Sequence, residues 1–280
     1  MIDAAAVAVW METGTGIIMA ESASLEVQQL QPRGAPPPLH RIADHCAVFL
    51  DFDGTLTNLE RRPDQVVVDG GLLYLLDDLY VATAGATAVI SGRAIEDLDA
   101  KLTPLRLPLA GIHGAQRRRA DGSLEKCAIP ATVVWQTRMA LRMRLRRYEG
   151  LYIEDKGAAF AVHYRGAPSL SLARLRADLE ALALASRGIF EVMAGAELLE
   201  LRPRACDKGG ALESFMSEAP FAGRFPIFIG DDQTDRAGFE AVARANGLCI
   251  AVGPRVSAPW WLPDPAAVRA WLRAGLGLGN

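Results

Sequence analysis

The sequence predicts an α/β fold, a parallel sheet with helices between its strands, into which a smaller α+β domain of two αββ units is inserted. Three observations carry this. Short apolar runs that end in small or acidic residues (Ala47 to Leu50, Ala86 to Ile90, Pro226 to Ile229, Leu248 to Val252) read as strands buried on both faces, with helical patterns such as Leu72 to Tyr80 between them. Between about Leu124 and Leu201 the rhythm changes to helix, strand, strand, twice over. Before about residue 40 neither pattern holds.

Taken in order, residues 1–42 read as a tail or loosely docked arm. Thr13-Gly14-Thr15-Gly16, a Gln-rich stretch and Pro36-Pro37-Pro38 offer no periodic apolar face and end in a stiff spacer. Residues 43–120 form the first part of the parallel core. Residues 121–203 form the inserted domain: a helix over Ala131 to Tyr148, strands at Leu151 to Glu154 and Ala158 to His163, a helix over Leu170 to Arg187, and strands at Ile189 to Met193 and Glu197 to Leu201. Short turns at Asp155 to Gly157 and Ala194 to Ala196 make its sheet antiparallel. Residues 204–280 return to the core.

Composition sets outer limits. The chain has 280 residues, half of them apolar and 22% charged, which excludes wholesale disorder and fibrous repeats. A net charge of -3 argues against nucleic acid as the main partner, and the arginines at 117–119 and along Arg138 to Arg147 read as solvated faces. Cys46, Cys127, Cys206 and Cys249 lie too far apart in sequence for a zinc or redox pair and read as reduced thiols of a cytoplasmic protein. Ala4 to Met11 lacks a basic flank and is too short to span a bilayer, so neither secretion nor a membrane partner is expected. The chain is expected to be a monomer.

Chemistry concentrates at strand ends. In Val48-Phe49-Leu50-Asp51-Phe52-Asp53-Gly54-Thr55, the two acids alternate onto one side at the tip of an apolar strand, roughly 7 Å apart. Carboxylates so placed call for a cation. Ile227-Phe228-Ile229-Gly230-Asp231-Asp232-Gln233-Thr234-Asp235 ends another strand, and ligands of open parallel sheets bind beyond such ends. Helix capping competes for Asp232 and Asp235. Ser91-Gly92-Arg93 follows a strand and opens a helix, where a hydroxyl and free N–H groups can take a phosphate oxygen, although an ordinary N-cap fits Ser91 equally well. Lys208 stands at a helix start, where the macrodipole disfavours a cation unless an anion is near.

These motifs, in this order, resemble the haloacid-dehalogenase-like phosphohydrolases: Asp51-Phe-Asp53-Gly-Thr55, Ser91, Lys208 and Gly230-Asp231-Asp232. Within that superfamily the chain is similar to the trehalose-6-phosphate phosphatases, through Ser91-Gly92-Arg93, Gly111-Ile112-His113-Gly114, Lys156-Gly157 with His163-Tyr164-Arg165, and Glu200-Leu201-Arg202-Pro203, over about residues 46–255. It departs from the pattern at Arg236, where an acidic residue is common, and in lacking a proline at 57–59.

The resemblance implies a Rossmann-like core with the αββ pair as its cap. It implies Asp51 as nucleophile and Asp53 as general acid and base. Mg²⁺ would be held by Asp51, the backbone carbonyl of Asp53 and Asp231. Lys208, Ser91 and Thr55 would hold the phosphate, while Arg93, His113, Lys156, His163, Arg165, Glu197 and Glu200 would supply substrate contacts. The substrate would be trehalose 6-phosphate. Sucrose 6-phosphate, mannosyl-3-phosphoglycerate or a non-catalytic sugar-phosphate-binding role are the alternatives, and the intact Asp51, Asp53, Lys208 and Asp231 count against the last.

Overall fold

The computed structural model describes residues 34–37, 42–60, 62–167, 171–195 and 197–278. The tail expected over residues 1–42 lies mostly outside these, as do Leu170 and Ala196, at the edges of an expected helix and turn. Of that stretch, the Gly34 carbonyl accepts from Trp261 N and the Pro37 carbonyl from Trp271 Nε1.

An eight-stranded sheet forms the larger body. Its strands are β1 (Cys46–Leu50), β2 (Thr87–Ile90), β3 (Leu109–Gly111), β4 (Gln116–Arg118), β5 (Leu124–Lys126), β10 (Phe225–Gly230), β11 (Leu248–Val252) and β12 (Trp260–Leu262), in the order β12-β11-β10-β1-β2-β3-β4-β5. β12 through β3 run parallel, and β4 and β5 add an antiparallel edge.

Burial on both faces explains the unbroken apolar runs. Val48 and Leu50 face a layer that includes α1 (Gly70–Ala82), α2 (Ile95–Leu102) and α7 (Pro265–Gly275). Ala47 and Phe49 face α5 (Lys208–Met216) and α6 (Arg236–Arg244). At about 25 cal/mol per Å² of apolar surface, a fully buried side chain such as Phe49 contributes roughly 2 to 3 kcal/mol.

The smaller body is a four-stranded antiparallel sheet in the order β6-β7-β9-β8, from β6 (Tyr152–Asp155), β7 (Phe160–His163), β8 (Phe190–Gly195) and β9 (Leu198–Pro203). Helices α3 (Ala131–Leu145) and α4 (Leu172–Ala185) cover one face, with Leu141, Leu175 and Leu179 packed on Phe160, Val162 and Leu201. Period-two alternation turns Ala161, His163, Leu198 and Glu200 to the other face, toward the larger sheet.

The division between the two bodies differs from the expected one at its first end. β5 belongs to the large sheet, so that sheet continues to Lys126, past the boundary placed at residue 121. The arginine run at 117–119 is also largely buried rather than solvated. Arg117 and Arg119 pair with Glu218 and Glu125, and Arg118 pairs with Asp99. On α3 and just after it the expectation holds in part: Arg142, Arg144, Arg146 and Arg147 are exposed, whereas Arg138 is half-buried against Asp155. Cys46 and Cys249 are buried, Cys127 and Cys206 half-buried, and all four are free thiols. Among the described residues no helix is long and apolar enough to cross a membrane.

Candidate active site

The large sheet delivers three acids to one point. Asp51 follows β1, Asp231 follows the adjacent β10, and Asp235 sits one short 3-10 turn later. All three are buried, and their carboxylates place oxygens within 4.8 Å of one another. Gly54 is required in this packing: its φ is +83°, and a Cβ there would lie 2.0 Å from Asp231 Oδ2.

Lys208 opens α5, against the macrodipole, and is 2% exposed. Its ammonium lies 2.6 Å from Asp51 Oδ1 and 2.6 Å from Asp235 Oδ1. Burial opposes the charge, but those two carboxylates outweigh it and raise the lysine above its ordinary range. Thr55 Oγ1 donates to Asp51 Oδ2 at 3.2 Å.

Asp235 combines two roles. Its Oδ2 accepts from the N–H groups of Asp231 and Asp232, closing a capping box with Asp232, while Oδ1 meets Lys208. Burial pushes its carboxyl up to about 7 despite the lysine. Asp232 is a cap, accepting from Thr234 N. Arg255 Nη2 pairs with Asp231. Arg236 is exposed at the start of α6.

Ser91 follows β2, 1% exposed, and its Oγ accepts from Arg93 N at 3.2 Å. It is not a helix cap, because α2 begins at Ile95 with Ala94 as N-cap. Arg93 turns its guanidinium to Asp53: Nε to Oδ2 at 2.6 Å and Nη2 to Oδ1 at 2.8 Å.

The small sheet faces this constellation across a cleft of about 390 Å³ lined by both bodies. Glu200 on β9 is buried there. Its Oε1 accepts from Lys156 Nζ at 2.9 Å, and its Oε2 lies 2.9 Å from His113 Nε2. Lys156 also donates to the Gly92 carbonyl of the large body at 2.9 Å, so the group ties the two bodies together. Burial would raise the Glu200 carboxyl, but Lys156 and His113 hold it well below the usual carboxylate range. Burial lowers His113 below its ordinary value, against the pull of Glu200.

His113 and Ile112 have φ of +53° and +50°, a left-handed turn held by His113 N donating to Ser91 O at 2.9 Å and Ile112 N to Arg93 O at 2.8 Å. At the rim, His163 lies 2.9 Å from Glu154, and Arg165 pairs with Glu197.

Every residue assigned to the site from sequence except Thr55 lines this one cleft, and Thr55 touches it through Asp51 and Asp231. Sequence reasoning missed Glu154, Asp235 as a partner of Lys208, and Arg255. Asp235 carried a signal in its motif, but a capping box explains that spacing by itself. Arg255 follows β11 with no recognisable pattern around it.

A family model described as Trehalose-phosphatase matches residues 49–258, three quarters of the chain. The chain belongs to the trehalose-phosphatase family. Within that family it is similar to the trehalose-6-phosphate phosphatase of Escherichia coli (strain K12), 41% identical over 230 residues that cover 81% of this chain and 85% of that one. It is also similar to a probable trehalose-phosphate phosphatase of Sinorhizobium fredii, 40% identical over 234 residues covering 82% and 88% of the two chains.

Among solved structures, a trehalose-6-phosphate phosphatase related protein matches with a TM-score of 0.69 at 29% identity, covering 82% of this chain and 98% of that one. The C-terminal domain of the Candida albicans (C. albicans) trehalose-6-phosphate phosphatase shares the fold, with a TM-score of 0.74 at 23% identity and coverage of 85% and 93%. Like other trehalose-phosphatases, the chain is a phosphatase of the haloacid-dehalogenase-like fold.

Proposed function

We propose that this chain hydrolyses trehalose 6-phosphate to trehalose and phosphate by way of an aspartyl-phosphate on Asp51, with Mg²⁺ as cofactor. The observation that carries the reading is the position of Asp51: a buried carboxylate at the floor of the cleft, oriented by Lys208 and Thr55.

In the first half of the reaction an Asp51 oxygen attacks phosphorus while the bond to the sugar oxygen breaks, and Asp53 gives that oxygen a proton. In the second half Asp53 takes a proton from water, whose oxygen attacks phosphorus and frees Asp51. Lys208, Ser91 and Thr55 hold the phosphate oxygens and the charge that builds on them.

The donor set suits a hard cation. Three buried carboxyl groups stand against the buried Lys208 ammonium and the partly exposed Arg255 guanidinium, and all the donors are oxygens. Mg²⁺ would be held by Asp51, Asp231 and the backbone carbonyl of Asp53. When bound it would neutralise repulsion between the anionic nucleophile and the phosphate.

The small sheet acts as a cap whose cleft face, with His113, Lys156, His163, Arg165, Glu197 and Glu200, supplies hydrogen bonds to sugar hydroxyls and excludes water. Unpaired thiols suit a reducing compartment, and we place the enzyme in the cytoplasm.

Phosphate release from trehalose 6-phosphate, sucrose 6-phosphate, mannosyl-3-phosphoglycerate and glucose 6-phosphate tests the reading. Trehalose 6-phosphate should lead by at least about tenfold in kcat/KM. EDTA should silence the enzyme, Mg²⁺ should restore it, and Ca²⁺ should not, because its larger and looser shell misplaces the phosphoryl group. Preference for another sugar would refute the substrate, and full activity in excess chelator would refute the metal.

A further inference from the structure

The sequence assigns Arg93 to the substrate, but its side chain is committed elsewhere. Nε and Nη2 grip the two oxygens of Asp53 in a bidentate fork, Nη2 also donates to the Pro63 carbonyl at 2.9 Å, and Nη1 donates to Asp97 on α2. Four of its five N–H donors are spent in this way. The guanidinium lies over the Phe52 ring, 5.6 Å from the centroid, and the residue is 6% exposed. To hold a phosphate it would have to release Asp53.

We propose that Arg93 is a positioning residue: it clamps the Asp53 carboxyl in the plane and distance from which that group exchanges protons with the sugar oxygen and with water. The proposal rests on the acid and base role given to Asp53 above. Asp53 lies in the loop after β1, past the last residue whose position the sheet fixes, and its side chain remains 29% exposed toward the cleft. A bidentate fork fixes the plane of a carboxylate in a way that one point charge cannot, and leaves lone pairs on both oxygens for a proton. Asp97 and the Pro63 carbonyl in turn hold the guanidinium, so the clamp is anchored on α2 and on the loop before α1.

The test compares leaving groups in the full chain. p-Nitrophenolate departs without needing a proton, whereas the alkoxide of trehalose needs one, and kcat/KM reports only the steps through departure. Arg93→Gln should lower kcat/KM for trehalose 6-phosphate by about 10²-fold, as loss of general acid catalysis does. For p-nitrophenyl phosphate kcat/KM should fall by less than about threefold, although kcat falls because the water step still needs Asp53. Arg93→Lys, which keeps the charge and guards against a folding defect, should show the same split, since an ammonium lacks the fork.

Equal loss of kcat/KM for both substrates in the Arg93 variants, or no loss for either, would overturn the clamp. Asp53→Asn run in parallel separates the two claims. If it splits the substrates and the Arg93 variants do not, the clamp alone is wrong; if it does not split them, the role of Asp53 fails and the clamp with it. In the double variant the losses should not add, because both changes remove the same proton transfer.

Discussion

Strand β1 buries all five of its residues, whereas no residue of β6 is fully buried. That difference separates the two walls of the cleft. The large sheet has helices on both faces, and only at the carboxyl ends of its strands do polar side chains meet the cleft, so Asp51 and Asp231 are held by a rigid frame. The small sheet has helices on one face only, and its polar residues are spread over the other, alternating along each strand. A frame closed on both faces suits chemistry, which depends on ångström-scale placement. A half-covered sheet suits recognition, because its open face can change with little cost to the fold.

The largest expected effect tests the rigid wall. Asp51→Asn should reduce turnover by at least about 10³-fold, because an amide is a poor nucleophile. Retention of a tenth of the activity would remove Asp51 from the mechanism. The thermal unfolding transition should remain cooperative, since the substitution is isosteric and Thr55 still has an oxygen to bond.

The next test asks whether the open wall is uniformly tolerant. Lys156→Ala leaves Glu200 buried with His113 alone, and removing one partner of a buried ion pair costs about 3 to 5 kcal/mol. Glu197→Ala, at a half-exposed rim position, should stay within about 0.5 kcal/mol of wild type in denaturant unfolding. Similar stability losses for the two would erase the distinction between a fixed tie at Glu200 and a free rim. In activity the order changes: Glu197→Ala should impair trehalose 6-phosphate turnover while sparing p-nitrophenyl phosphate, which has no sugar for this wall to hold.

How much of this was legible in the sequence follows the same division. Asp51, Asp53 and Asp231 stand in short motifs at the ends of apolar runs, and Lys208 contradicts its local helix dipole, so each announced itself. The tie between His113, Lys156 and Glu200 joins residues up to 87 apart in sequence, and nothing at any one of them names the others. Lys156 and His113 were readable as polar residues near the site but not as partners of a buried carboxylate.

The Arg93 fork has the same character: its target lies 40 residues away, and the tripeptide Ser91-Gly92-Arg93 reads as an anion site until Asp53 is seen in the guanidinium. Strands β4 and β5 were missed because Gln116-Arg117-Arg118 and Leu124-Glu125-Lys126 carry no apolar alternation, and the arginines of β4 are buried through ion pairs instead. That omission also moved the domain boundary.

The smallest effect concerns pH and the junction of the two walls. Burial lowers the pKa of His113, with Glu200 opposing and Lys156 and Lys208 assisting, so the ring takes up a proton less readily in the folded protein. The unfolded chain takes up a proton below its ordinary value of about 6.5, and the folded chain resists it, so stability falls as pH drops through that value. Glu200 shifts in the opposite sense: its pKa is lowered in the folded state, so its contribution is present above the unfolded value of about 4.5 and fades only below it. Between pH 6.5 and 5 the histidine therefore dominates this group. Wild type should lose up to about 1.4 kcal/mol per pH unit there relative to His113→Gln, equivalent to a few degrees in Tm. Parallel Tm curves for the two proteins across that window would show that the ring takes up its proton in the folded state, and that the junction is looser than its burial implies.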